Sequence, residues 1–228
     1  MRRLVRVAID GPAGAGKSTV ARGLADRLGF LLLDTGALYR TVALAARRAG
    51  VSWEDDEAVG ALAERLVADH AIELQRTDSG MAVRYRGEDV SLPIRAPDMS
   101  LGASRVSAVP RVRTALLAMQ RRAGEEGGVV LEGRDIGTVV FPDAEVKFFL
   151  TASSEVRARR RFEELTLRGE EVSLADTLAE VIQRDKADTE RKVAPLRRAD
   201  DAILVDSSER EVGSLIEEMA RVVEARFG

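Results

Sequence analysis

The chain has 228 residues, of which 45% are hydrophobic and 32% charged, with a net charge of −3; this describes one globular domain, or one core with insertions, and excludes a disordered or collagen-like chain. It has no cysteine and one histidine, His70, which excludes disulfides, thiolate metal sites, cysteine nucleophiles and a histidine-rich metal cage. No apolar stretch approaches the ~18 residues of a membrane span, and Asp10 with its following glycines cuts short any signal sequence behind Met1-Arg2-Arg3, so the cytoplasm is the expected location.

Val5–Ile9 is a β-branched and aliphatic run that predicts a short buried strand, broken by Gly11-Pro12-Ala13-Gly14-Ala15-Gly16. Val20, Leu24 and Leu28, at i, i+4 and i+8, predict a helix over 17–28 that Gly29 stops. Residues 30–33 read as a second buried strand, followed by a helix over about 37–49. Strand, glycine loop, helix, strand is the opening of a parallel α/β sheet. Residues 53–69 read as a helix, and 72–76 and 81–86 flank the Thr77-Asp78-Ser79-Gly80 turn as an antiparallel hairpin. A hairpin inside a βα series marks an inserted module, roughly 63–103.

Alternation resumes with a helix over 110–123 and strands over 128–131 and 146–150. Charged helices over 154–167 and 173–190, a strand over 202–205 and a helix over 212–226 close the chain. The expected division is therefore a core of 1–62, 104–152 and 192–228, the insertion 63–103, and an arginine-rich helical region 153–191. There is no internal repeat.

Four lysines stand against 31 arginines, and asparagine is absent, which fits either selection for heat or a biased genome composition. From Met99 to Gly124 there are five arginines and no acid, and from Arg184 to Arg198 the bases outnumber the acids by three. Such concentrations in an acidic chain face an anion or form solvated helix faces.

Gly11 to Ser18 fits G-x-x-x-x-G-K-[ST], between a predicted strand and a predicted helix. The glycines let main-chain N–H groups turn around a polyphosphate, Lys17 reaches its β/γ oxygens, Ser18 ligates Mg²⁺, and the helix points its positive end at the same anion. The motif predicts nucleoside triphosphate binding. A guanine-reading Asn-Lys-x-Asp is impossible in a chain without asparagine, and a motor or helicase is usually longer. A small core with two charged insertions suggests a kinase whose insertions exclude water from the site. Arginine patches on nucleic acid are the alternative, but only 4% of residues are aromatic, too few for interleaved stacking platforms.

The phosphate loop, Asp34-Thr35-Gly36-Ala37-Leu38-Tyr39-Arg40, Ser104 with Pro110-Arg111-Val112-Arg113, the run Gly133-Arg134-Asp135-Ile136-Gly137-Thr138-Val139-Val140-Phe141-Pro142-Asp143, and Val193-Ala194-Pro195-Leu196 together resemble the bacterial cytidylate kinase family over nearly the whole chain. The resemblance implies a nucleoside-monophosphate-kinase fold: an α/β phosphate-loop protein with a five-stranded parallel sheet flanked by helices, an acceptor-binding hairpin insertion and a helical arginine-rich lid. It implies transfer of the γ-phosphoryl group of ATP, with Mg²⁺, to CMP or dCMP. The partners would be these nucleotides, with no nucleic acid and no membrane, and the chain is expected to act as a monomer.

By the same resemblance ATP contacts Gly11, Pro12, Ala13, Gly14, Ala15, Gly16, Lys17, Ser18 and Thr19, together with Arg157, Arg160 and Arg161 of the lid. Ser104, Arg113 and Asp135 contact cytosine, where a carboxylate accepts from the N4 amino group and an arginine donates to the acceptors. A structural cap after a strand is the alternative for Asp135. Arg40, Arg134 and Arg191 clamp the CMP phosphate, with Thr35 as hydroxyl donor, and Arg184 and Asp188 meet the sugar. Lys17, Arg134, Arg157, Arg161 and Arg191 are the catalytic set, and Ser18 is the metal ligand. Arg184, Asp188 and Arg191 share a helical face at i, i+4, i+7.

The sequence departs from the family with Ser18 directly after the lysine, with Glu132 where Asp is expected, and with Lys186-Ala187-Asp188-Thr189-Glu190 after Arg184-Asp185. Asp10 is expected either to orient the loop amides or to be a turn residue, His70 to lie at the surface or a cap, and Trp53 to pack at a helix start. No general base is needed, because the attacking phosphate oxygen is already anionic.

Overall fold

The computed structural model describes residues 5–77 and 80–227. The tip of the expected hairpin turn, Asp78 and Ser79, lies outside the described residues, as does the segment before Val5. A five-stranded sheet runs in the order β2-β6-β1-β7-β8, from β1 (Arg6–Asp10), β2 (Leu31–Asp34), β6 (Val129–Gly133), β7 (Val146–Thr151) and β8 (Ile203–Asp206). The ladders of β1 with β6, β1 with β7, and β7 with β8 are parallel. The chain forms two compact units: the segment up to Phe30 together with everything from Gly128 onward, and Leu31–Gly127.

In the first unit β1 is central, and Val7, Ala8 and Ile9 are fully buried, as expected of a parallel strand covered on both faces. Helix α1 (Lys17–Leu28) follows the glycine loop and stops at Gly29, a left-handed C-cap with φ 68°. Its Gly23 lets α8 (Val212–Phe227) approach so closely that an added Cβ would sit 2.3 Å from Ile216 Cδ1. Helices α6 (Ser154–Leu167) and α7 (Leu174–Glu190) begin at Ser153 and Ser173, each of whose hydroxyls accepts from a main-chain N–H in the first turn. They match the two charged helices that the sequence predicts.

The second unit packs α2 (Thr35–Arg48), α3 (Asp56–Ala68), α4 (Pro97–Ala108) and α5 (Pro110–Gly124) with a three-stranded sheet of β3 (Ile72–Thr77), β4 (Gly80–Tyr85) and β5 (Glu88–Asp89). Leu38, Leu44, Leu66, Ile72, Met99 and Leu116 belong to one buried core. The expected hairpin is present with its predicted antiparallel pairing.

Two helix starts differ from the sequence reading. α2 begins at Thr35 because Asp34 caps it, accepting from Ala37 N at 3.2 Å. α3 begins at Asp56 because Asp55 accepts from Ala58 N at 2.9 Å, leaving Trp53 in the preceding turn with its Nε1 donating to Ala43 O. α4 and β5 are absent from the sequence reading; α4 has serines and glycine where an apolar stripe would announce a helix. A π-helical turn at Ile136–Val140 is likewise unannounced.

Candidate functional site

Between β1 and α1 the phosphate loop turns through Gly11, Gly14 and Gly16, all at positive φ. Gly11 is required twice over: its φ is 151°, and a Cβ there would lie 1.9 Å from Leu150 O. Lys17 is buried and its Nζ donates to Pro12 O at 2.7 Å. Burial, reinforced by the charges of Arg134 and Arg184 and opposed by Glu132 and Asp188, lowers the Lys17 ammonium to about 7. The loop therefore holds a desolvated cation that gains stability when an anion arrives.

Ser18 Oγ donates to Glu132 Oε2 at 2.9 Å. Glu132 is buried on β6, level with Ile9 of β1, so its longer chain reaches the loop from the neighbouring strand. A hydroxyl and a carboxylate oxygen side by side are hard donors suited to Mg²⁺. No group of three or more acidic, histidine or cysteine side chains placed to hold a metal ion occurs among the described residues.

The outward carbonyls of the loop are held from elsewhere. Arg157, buried on α6, donates from Nη1 to Ala13 O at 3.1 Å, from Nε to Ala152 O at 2.9 Å, and from both terminal nitrogens to Asp185 of α7 at 2.9 and 2.5 Å. Ser207, just after β8, donates to Ala15 O at 2.9 Å and accepts from Arg160 Nη1 at 3.2 Å. Arg161 forms an exposed pair with Glu164 at 3.0 Å. The three arginines of α6 thus occupy three different environments.

Asp10 ends β1 and accepts from the amides of Ile136 and Gly137, both at 2.8 Å. It therefore orients the loop after β6; the phosphate-loop role expected of it is not what these bonds serve. Burial raises the Asp10 carboxyl to about 6 against the pull of those two amides, and the Asp135 charge adds to the rise. Asp135 makes no side-chain cap to the π turn; its carboxylate lies 3.6 Å from Arg191 Nη2.

Arg134 Nε donates to Asp188 Oδ2 at 2.8 Å. Burial opposes ionisation of Asp188, yet the charges of Arg134, Arg184 and Arg191 and the hydrogen bond from Arg134 outweigh it and hold the carboxyl below its usual range. Arg184 and Asp188 lie on α7, but the helix ends at Glu190. Arg191 is extended, with ψ 140°, and its Nε donates to Ala194 O at 2.5 Å. The shared helical face predicted for all three holds for the first two only.

In the second unit Asp34 binds both the Ala37 amide and Arg40 Nη2, the latter at 2.5 Å, while Arg40 Nε is buried without a hydrogen-bond partner. Thr35 is buried at the first position of α2. Arg113 is buried, donates to Ser107 O at 3.2 Å and lies over the Tyr39 ring at 5.4 Å. Ser107 Oγ donates in turn to Ser104 O at 3.1 Å, so Ser104 and Arg113 are joined through one turn of helix.

Sequence reasoning left out Asp185, Ser207, Ser107 and Tyr39. Each acts through a contact distant along the chain or through a main-chain carbonyl, although Tyr39 and Asp185 each stand beside a recognised motif residue, Arg40 and Arg184. His70 is exposed at φ 50° just past α3, as expected.

The cytidylate kinase family matches residues 7–225. The cytidylate kinase of Syntrophotalea carbinolica is 52% identical over 226 residues, covering 99% of this chain and 94% of that protein. That of Geobacter sulfurreducens is 52% identical over 225 residues, covering 99% and 95%. Among solved structures, an uncharacterized protein from Eubacterium ventriosum shares the fold at a TM-score of 0.50 and 12% identity, over 97% of this chain and 99% of that one.

Proposed function

The chain belongs to the cytidylate kinase family, and from that premise we propose that it transfers the γ-phosphoryl group of ATP to CMP or dCMP, giving ADP and CDP or dCDP by direct in-line displacement. The observation that carries this reading is the buried Lys17 beside the Ser18–Glu132 pair, at the mouth of a glycine loop that opens a helix. No general base enters. The acceptor oxygen is anionic, so the protein's work is alignment and neutralisation of charge.

Lys17 exchanges Pro12 O for the β/γ oxygens of ATP. Ser18 and Glu132 would hold Mg²⁺, which when bound neutralises charge on the donor phosphates. Arg161 is easily released to reach those phosphates, because an exposed i,i+3 pair is worth under about 1 kcal/mol. Arg157 already directs its donors at main chain and Asp185, so its role is to position the loop.

Arg134 and Arg191 act on the acceptor phosphate, Arg184 and Asp188 on its sugar, and Asp135 accepts from the cytosine N4 group. Thr35 and Arg40, whose Nε is buried and unbonded, also serve the acceptor phosphate, and Ser104 and Arg113 the base. No helix among the described residues is long and apolar enough to cross a membrane.

The test is ADP release from ATP over CMP, dCMP, UMP, AMP and GMP, with Mg²⁺ and with chelator. CMP and dCMP should turn over, and UMP, which presents an acceptor to Asp135, should be about a hundredfold poorer. UMP matching CMP would refute the base-reading role of Asp135. Absence of ADP with every acceptor would refute the function.

A further inference from the structure

A phosphate loop binds through inward N–H groups, so the peptide planes that carry them must not turn over. The chain has no cis peptide bonds among its described residues. In a trans peptide the carbonyl and the next residue's N–H point in opposite directions. Holding Ala15 O on the outer side therefore aims Gly16 N–H to the inner side. The Ala15–Gly16 plane needs such a hold, because Gly16 sits at φ 85° and an added Cβ would meet nothing closer than Arg160 Nη1 at 3.9 Å. With no side chain to wedge it, this glycine's backbone turns easily.

Ser207 supplies the hold. It is 3% exposed, and its Oγ lies 2.9 Å from Ala15 O and 3.0 Å from Thr151 O. A hydroxyl has one proton to give and two lone pairs. Thr151 O already receives Ser207 N at 2.8 Å. Arg160 Nη1 occupies a lone pair of Oγ at 3.2 Å, while its Nη2 binds Ser207 O at 2.6 Å. The proton is left for Ala15 O.

We propose that Ser207 is a positioning residue for nucleotide phosphate: its hydroxyl, fixed by Arg160, braces the Ala15 carbonyl so that Gly16 N–H faces the polyphosphate. The proposal deepens the kinase reading above and rests on it. Ser207 need not touch the nucleotide. The role assigned to Arg160 shifts accordingly, from phosphate ligand to the strut behind that hydroxyl.

The experiment compares Ser207→Ala, Ser207→Cys and Ser207→Thr with the full wild-type chain. It measures calorimetric binding of inorganic tripolyphosphate and of a non-hydrolysable ATP analogue, KM for ATP and for CMP, and thermal unfolding. Tripolyphosphate has no base or sugar, so it reports the loop alone. Ser207→Ala should weaken tripolyphosphate and the ATP analogue by a common factor of about ten, with KM for CMP within about twofold of wild type. Ser207→Thr, which keeps the hydroxyl, should restore binding. Ser207→Cys keeps the volume but donates weakly; it should reproduce the loss and serves should the alanine variant fail to fold.

Unchanged tripolyphosphate binding overturns the proposal. So does a loss confined to the ATP analogue, which would put Ser207 at the base. A parallel rise in KM for ATP and CMP with a lowered Tm, unrescued by threonine, would make Ser207 a packing residue and overturn it too. Wild-type protein that transfers no phosphoryl group to CMP refutes the kinase reading instead, while the tripolyphosphate comparison still judges the brace.

Discussion

Replacement of Asp185 by asparagine tests how the loop is held. In the wild type the Arg157 guanidinium is 5% exposed and meets Asp185 through two hydrogen bonds, at 2.9 and 2.5 Å, besides Ala13 O and Ala152 O. Asparagine keeps the shape and one acceptor oxygen but removes the only negative charge among these partners. Breaking a fully buried pair costs about 3–5 kcal/mol. The Asp185 side chain is 28% exposed, so water softens the loss, and about 2–3 kcal/mol is expected.

For a chain of 228 residues that corresponds to a fall in Tm of about 4–12 °C. The assay is calorimetric and circular-dichroism unfolding of Asp185→Asn, Arg157→Met and the double variant, with coincident transitions as the check on two-state behaviour. The cycle should give a coupling of about 1.5 kcal/mol or more. KM for ATP should rise in both single variants more than KM for CMP, because Ala13 is the loop residue released. Coupling below about 0.5 kcal/mol would refute the reasoning, since Asp185 would then carry no share of the buried charge.

Asp10→Asn tests the other buried carboxylate. Its carboxyl titrates at about 6 when folded, against 3.8 in the unfolded chain. The folded protein therefore binds the extra proton between these values, and the stability from it is complete below about pH 4 and lost as pH rises through 6. A shift of about two units corresponds to about 3 kcal/mol, so the stability of Asp10→Asn relative to wild type should climb by about 2–3 kcal/mol from pH 4 to pH 7.5 in denaturant unfolding. The fixed cost of presenting an amide N–H₂ to Ile136 or Gly137 cancels in that difference, and a flat difference would contradict the buried ionisation. At the metal pair, Ser18→Ala and Glu132→Gln should each raise the Mg²⁺ needed for half-maximal turnover by about tenfold. Metal titration of the rate at saturating nucleotide measures this, and an unmoved midpoint would remove the pair from metal binding.

The parallel character of the sheet was legible because its strands are apolar runs spaced by helical periods, whereas the strand order was not. Nor were the strand ends. Asp10, Glu132, Thr151 and Asp206 all lie within or at the C-terminal limit of their strands, beyond the apolar run that announced each one. Apolar patterning stops a strand where its side chains turn polar, and at the carboxyl ends of a parallel sheet that is where a ligand is met. The apolar run therefore stops one residue short of the strand's end at β1, β7 and β8, and two residues short at β6. α4 escaped for a different reason: Ser100, Gly102, Ser104 and Ser107 dilute its apolar stripe, and Gly102 is small because an added Cβ would come within 2.8 Å of Ala43 and of the Trp53 ring.

The site itself divides along the same line. Lys17 and Ser18 sit in a local motif whose spacing is fixed by the turn they make. Residues that hold the motif in shape obey no such spacing: Asp185 lies 28 positions from Arg157 on another helix, and Ser207 lies 192 positions from Ala15. Their pairings, with a guanidinium 28 positions away and with a main-chain carbonyl, leave no trace in composition. This has a mechanical consequence. Arg157 links α6, α7 and Ala13 through one guanidinium, so a movement of α7 that draws Asp185 away leaves a buried cation with main-chain partners alone and loosens the Ala13–Gly14 plane with it. Ser207 hangs from β8 and the end of β7, which are sheet strands, so its grip on Ala15 does not depend on α7. A movement of α7 would thus act on the Ala13 side of the loop, through Asp185 and Arg157, and spare the Ser207–Ala15 contact, which β7, β8 and Arg160 of α6 hold.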